Sequence, residues 1–137
     1  MSDAPWERSG VEPRFDERLG ILSRSDGPGT CTSELELAPE HRNMEGWIHG
    51  GVFLSVLDTA MGHSIATLRK REGIARAATM QLSCQFLAPP RGRRVRAVGR
   101  VLRLGGRSAF VEGVLTDEAG TDVARAHGVW RVWRTEA

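Results

Sequence analysis

A carboxylate in the middle of an apolar helix is the first place to look for chemistry, and Asp58 is one. Phe53, Val56, Leu57, Ala60, Met61, Ser64, Ile65 and Leu68 recur at i, i+3 and i+4, the spacing of one helix face. By helical angle Asp58 lies with Leu54 and Ile65 at the edge of that stripe. An ionised carboxylate there must be solvated, paired or functional, because burying it alone is costly. Just ahead stands His49-Gly50-Gly51. The first turn of a helix has N–H groups without intrahelical partners and carries partial positive charge. Glycines let a ligand approach that backbone closely. Such an end holds an oxyanion, and Asp58 follows about two turns later. An oxyanion donor and a carboxylate on one element fit chemistry on a carbonyl. A capped helix with one solvated aspartate accounts for the same residues, and the spacing alone leaves both readings open.

The elements that position these groups follow from the rest of the chain. Phe15 to Leu19 reads as one helical turn ended by Gly20, and Ile21 to Ser25 extends. Asp26 to Gly29 is a turn. Thr30 to Leu37 alternates as a strand. The turn-rich stretch from Pro39 leads through Asn43 and Gly46 into the helix. Basic residues at 69–71 and Gly73 suit its C-terminal end. Four extended segments follow: Ala77 to Leu87, Arg93 to Leu104, Ser108 to Thr116 and Val123 to Trp133. In the first, Ala78, Met80, Leu82, Cys84 and Phe86 alternate with Thr79, Gln81, Ser83 and Gln85. Pro89 to Gly92, Gly105-Gly106 and Asp117 to Gly120 are the turns, and the order reads as an antiparallel meander. The expectation is an α+β domain, a long helix wrapped by a curved sheet of five to six strands, over residues 14–137. Residues 1–13, with two prolines, read as a loose tail.

Composition bounds the function. One domain of 137 residues, with 40% hydrophobic and 26% charged residues, is ordinary for a globular protein. A net charge of +2 makes no demand for nucleic acid. Cys31 and Cys84 lack metal or redox spacing and read as free thiols in a reducing compartment. The N-terminus has no signal-peptide core, and no apolar run approaches the ~20 residues of a spanning helix. The expected location is cytoplasmic, with no membrane contact.

With these residues in view, the chain resembles hotdog-fold acyl-CoA thioesterases of the branch that includes the phenylacetate-pathway (PaaI-like) and 4-hydroxybenzoyl-CoA thioesterases. The motif is Asn43-x-x-Gly46-x-x-His49-Gly50-Gly51, followed by Leu57-Asp58-x-Ala60-x-Gly62. Thr79-x-x-Leu82-x-x-x-Phe86-Leu87-x-Pro89, the Gly106-Arg107 hairpin and a Gly120-x-x-x-Ala124 opening of the last strand also match, so the likeness spans about residues 14–133. The resemblance implies a hotdog fold and hydrolysis of an acyl-CoA thioester to acid and CoA. It implies that the Gly50 N–H polarises the carbonyl and that Asp58 is general base or nucleophile. Asn43 would help place water or substrate, and His49 would order the loop and the carbonyl side. Thr79 would meet Asp58 from a neighbouring subunit, in a homodimer that often doubles to a tetramer. No metal or other cofactor is implied.

Other candidates are weaker. His41, His49, His63 and His127 have no paired ligand spacing. His63 sits about 140° round the helix from Asp58, against a direct dyad. Ser55 and Ser64 lack a nucleophile elbow. Cys84, Trp130 and Trp133 read as core. The arginines from 91 to 107 suit either a solvated sheet edge or the phosphates of coenzyme A; Arg91, Arg93 and Arg107, with Gly51, are the candidate substrate contacts. No aromatic residue interleaves them before Phe110, which argues against nucleic acid. Hotdog dehydratases place a catalytic His differently. A non-catalytic acyl-CoA sensor is the rival from another class, although such a sensor would normally lose the helix carboxylate.

Overall fold

The computed structural model describes residues 14–136; the expected tail over 1–13 lies outside them. Helix α1 (Phe15–Leu19) ends on Gly20, whose φ of 96° is the left-handed cap a glycine supplies freely. Strands β1 (Leu22–Gly27) and β2 (Thr30–Glu36) form a hairpin. A 3₁₀ turn at Pro39–His41 leads to α2 (Gly50–Ala66) and the short α3 (Arg69–Glu72). Strands β3 (Ile74–Phe86), β4 (Arg94–Leu104), β5 (Ser108–Asp117) and β6 (Asp122–Arg134) complete one antiparallel sheet curved around α2. Among the described residues no helix is long and apolar enough to cross a membrane.

The apolar face read from the spacing is the face that is buried. Val56, Leu57, Ala60 and Met61 are fully inaccessible and pack against Val95, Ala97 and Leu115 of the sheet. Each large side chain so buried contributes about 1.5–3 kcal/mol. Helix and sheet touch most closely at Gly99: a Cβ there would come within 2.5 Å of the Ala60 carbonyl oxygen.

The strand order is β1-β2-β4-β5-β6-β3, so only β4, β5 and β6 form a meander. The expected neighbour of β3 was β4; its actual neighbour is β6, and β3 is the far edge of the sheet. The reason lies in residues 87–93. Pro89 and Pro90 lack N–H groups and favour extended backbone, so β3 and β4 do not close into a hairpin, and the link carries the chain past the ends of β6 and β5.

The alternation expected along β3 is corrected as well. Thr79 pairs with Trp130 and Gln81 with Val129, which leaves Met80 bulged out and 65% exposed. An extra residue reverses the side-chain parity. Ala77 therefore shares the inner face with Leu82 and Cys84, while Met80 leaves it. Trp130 is core, but Trp133, an odd number of residues on, stands on the outer face between the guanidinium groups of Arg76 and Arg131, at 4.8 and 5.4 Å.

Candidate active site

The start of α2 is built by the loop before it. The Asn43 carboxamide oxygen accepts the N–H groups of Glu45 and Trp47 at 3.0 and 3.1 Å, and its own N–H donates to the Trp47 carbonyl at 2.7 Å. Asn43 is thus committed to closing the loop, as an Asx turn does. His41, 4% exposed, ties that loop to α1: its Nδ1 accepts the Ala38 N–H at 2.9 Å, and its Nε2 lies 3.0 Å from the Leu19 carbonyl.

His49 is the N-cap of α2. Its Nδ1 accepts the Gly51 N–H at 2.8 Å, which leaves the ring proton on Nε2. Gly51 must be small, since a Cβ there would sit 2.9 Å from that Nδ1. The neighbouring Gly50 N–H has no hydrogen-bond partner among the described residues. It opens on an apolar cavity of about 330 Å³ lined by Trp47, Phe53, Phe86, Leu87 and Pro89. Of the two glycines, one N–H orders the loop and the other is available to an oxyanion.

Asp58 is half-buried at the side of α2. The Thr79 hydroxyl donates to its Oδ1 at 2.7 Å. The two belong to one chain, which corrects the expectation that Thr79 arrives from a neighbour. The bulge at Met80 is the physical reason: with Thr79 paired opposite the buried Trp130, its side chain lies on the face that α2 covers. Asp58 and Thr79 open on a cleft of about 280 Å³ between α1, α2 and β3.

The separation along α2 bears on how such a site is assembled. Gly50 and Asp58 are eight residues apart, about 12 Å at 1.5 Å per residue. An oxyanion donor must lie ~3 Å from the oxygen it stabilises, and a nucleophile ~3–3.5 Å from the carbon it attacks. One chain therefore cannot present both groups to one carbonyl.

The arginines divide. Arg91 and Arg93 are exposed just beyond Pro90, and their backbone N–H groups dock on Asp117 and Glu118 at 2.9 and 3.3 Å. Arg107 lies at the opposite end of β4, about 30 Å away by strand rise, so the three do not converge within a chain. Arg96 and Arg100 are held by Glu34 and Glu112 at 2.6 and 2.5 Å on the outer face of the sheet.

Burial shifts three further groups away from their charged forms. Burial pushes the Cys31 thiol up to about 12 and raises Cys84. Burial also lowers His63 to about 4, with nearby Asp16 opposing, so the ring is neutral at pH 7. Among the described residues no three His, Cys, Asp or Glu side chains group as metal ligands. Sequence reasoning missed Phe86, whose ring lies within 3.6 Å of where a Gly50 Cβ would stand, and Asp16, whose carboxylate accepts the Thr59 hydroxyl at 2.9 Å. Phe86 stood in the motif of its strand without a role, and nothing local marks Asp16, because both contacts join distant segments.

Comparison with known proteins places the chain in a family. The model of the thioesterase superfamily matches residues 45–129. An esterase-like protein of Halobacterium salinarum is 32% identical over 107 residues, 74% of this chain and 70% of its own. The medium/long-chain acyl-CoA thioesterase YigI of Escherichia coli is 30% identical over 62% of each chain. Among solved structures, conserved protein PA5202 of Pseudomonas aeruginosa superposes with a TM-score of 0.80 at 27% identity, over 87% of this chain and 93% of that one. The PaaI protein from the phenylacetic acid degradation operon of Escherichia coli has a TM-score of 0.77 at 21% identity, over 88% and 85%, and is alike in fold.

Proposed function

Since the chain belongs to the thioesterase superfamily, we propose that it hydrolyses an acyl-CoA thioester in a site assembled from two copies. Gly50 of one protomer and Asp58 with Thr79 of its partner act on the same carbonyl. The observation that carries this reading is the arrangement of α2: an available N–H at its start, and a hydrogen-bonded carboxylate about 12 Å further on.

Strand β3 supports the dimer. It is thirteen residues long, lies at the sheet edge, and exposes Met80 and Phe86. A long, apolar free edge is a liability unless something pairs with it. Antiparallel pairing with a second β3 joins the two sheets, sets both α2 helices on one side, and brings the start of each towards the middle of the other. Val98, Leu102 and Phe110, exposed on the outer face, suit a back-to-back meeting of two such dimers.

In the reaction, Asp58 acts as base towards water or attacks directly, with Thr79 orienting its carboxylate. In the base route, water oxygen bonds to the carbonyl carbon while its proton passes to Asp58. Charge develops on the carbonyl oxygen, where the Gly50 N–H and the helix dipole stabilise it. The C–S bond then breaks, and the thiolate of CoA leaves and takes the proton. The coenzyme arm follows the Phe53–Phe86–Pro89 channel towards Arg91 and Arg93.

The test follows CoA release with a thiol reagent over a panel of aryl- and fatty-acyl-CoAs. Wild type is expected to turn over at least one, and Asp58→Asn to lose ~10²–10⁴-fold. Saturable binding with no turnover by wild type would instead identify a non-catalytic acyl-CoA-binding protein.

A further inference from the structure

The cleft beside Asp58 has a far wall that the motif residues do not supply. Helix α1 forms it. The Thr59 hydroxyl donates to Asp16 Oδ1 at 2.9 Å, and Thr59 is the residue after Asp58 on α2. The Asp16 carbonyl accepts the N–H groups of Gly20 and Ile21 at 3.0 and 2.9 Å, and His41 holds the Leu19 carbonyl at the other end of α1. Asp16 is thereby fixed in position rather than free on a loop.

The cleft runs from Asp58 and Thr79 along α2 towards its C-terminal end. Gly62, Ala66, Ala77 and Ala78 keep it open, and the indole of Trp130 lies along it. Its polar groups beyond the reacting centre are Asp16, Thr59, His63, Arg69 and the indole nitrogen of Trp130. Asp16 is the carboxylate that faces the cleft beyond Asp58, and Arg69 is the guanidinium in its lining. If the coenzyme arm leaves by the apolar channel at Gly50, the acyl group takes this cleft. A plain alkyl tail would strip water from Asp16 and Thr59 without replacing its hydrogen bonds, which is costly. A distal carboxylate would meet Asp16 as a like charge.

The geometry points to Asp16 as a specificity residue that accepts a hydrogen bond from the distal end of the acyl group, so that the substrates are acyl thioesters of moderate length ending in a hydroxyl. This inference rests on the thioesterase reading and adds the class of acyl group. Only one Asp16 oxygen is taken by Thr59, and the other is the acceptor for the substrate.

The experiment compares kcat/KM for hexanoyl-CoA, 6-hydroxyhexanoyl-CoA and adipoyl-CoA, in wild type, Asp16→Ala and Asp16→Asn. Each comparison is a ratio within one protein preparation, so partial misfolding of a variant cancels. Wild type is expected to favour the hydroxylated ester over hexanoyl-CoA by about tenfold or more, with adipoyl-CoA poorest. Asp16→Ala should bring the first two near parity. Asp16→Asn, which keeps an acceptor oxygen, should retain part of the preference. Equal or better use of hexanoyl-CoA by wild type, or a preference unchanged in Asp16→Ala, overturns the assignment while leaving the hydrolase reading intact. Preference for adipoyl-CoA would assign the cleft to Arg69 and also overturn it. No release from any of the three, nor from the wider panel, removes the hydrolase reading and this inference together.

Discussion

The Thr79 hydroxyl reaches Asp58 at 2.7 Å because β3 carries one residue too many for its partner strand at Met80. The bulge aims Thr79 at the helix while Leu82 and Cys84 still face the core, a use of bulges common beside functional sites. Thr79→Ala leaves the carboxylate without its orienting donor. A hydrogen bond to a charged group is worth ~1.5–3 kcal/mol, so kcat is expected to fall roughly ten- to hundredfold, less than in Asp58→Asn. Thr79→Ser should recover most of the loss. Steady-state kinetics on the three variants decides the point, and an unaffected Thr79→Ala would remove Thr79 from the site.

The two-copy site makes a prediction that a one-chain site does not. Proline suits the first position of a helix and has no N–H, and a Cβ at Gly50 meets only ordinary contact with Phe86, at 3.5 Å. Gly50→Pro is therefore expected to fold and to lose ~10²–10³-fold in kcat. Mixed with Asp58→Asn and allowed to exchange subunits, each heterodimer holds one site with both groups intact. Activity should return well above that of either parent. Two inactive parents that stay inactive after verified exchange would refute the shared site.

His63 sets an acid limit on stability. Its pKa is lowered by burial from 6.5 to about 4 in the folded chain. Folding therefore opposes its protonation. As pH falls from about 6.5 to about 4, the unfolded chain gains a proton that the native chain does not, and stability drops; below that window both forms are charged and the loss is complete. The shift corresponds to about 3 kcal/mol at most. Asp117, lowered by the backbone N–H groups of Arg91, Thr121 and Ala119, acts further down: its stabilisation is lost below the ordinary 3.8. Urea unfolding between pH 4 and 8 should show the His63 slope in wild type and a flatter line in His63→Asn.

The contact between α2 and β4 tolerates no side chain at Gly99. An added methyl would meet the Ala60 carbonyl group and the Met61 Cα at 2.5–2.7 Å, and backbone cannot step aside as a flexible side chain does. Gly99→Ala is expected to destabilise by at least the ~1–3 kcal/mol usual for overpacking. Gly106→Ala, with open space around it, serves as the control. Thermal denaturation of the pair gives the comparison, and equal melting temperatures would contradict the packing.

Several elements were legible because their signal is local. The i, i+3, i+4 spacing from Phe53 announced α2 and its buried face. His49-Gly50-Gly51 announced a helix start with little steric cover, and Asp58 stood out as the charge on an apolar element. Turn chemistry at Asp26–Gly29, Gly105-Gly106 and Asp117–Gly120 marked the strand ends. Other expectations failed where the outcome depends on a distant partner. Alternation along 77–87 placed Met80 inside, and nothing in those residues announces that Val129 and Trp130 will skip it. Trp130 and Trp133 look equivalent in sequence and lie on opposite faces.

What the sequence by itself determined is therefore the set of elements, the faces they bury and the residue types at the site, since backbone preferences and apolar periodicity act within a few residues. Tertiary structure alone decided that β3 takes the edge beside β6, that Thr79 meets Asp58 in its own chain, and that Asp16 closes the cleft through Thr59. Those outcomes depend on strand pairing and on contacts between segments twenty to sixty residues apart. The free energy that selects such contacts comes from packing and register across the whole sheet, and no single stretch of the chain carries it.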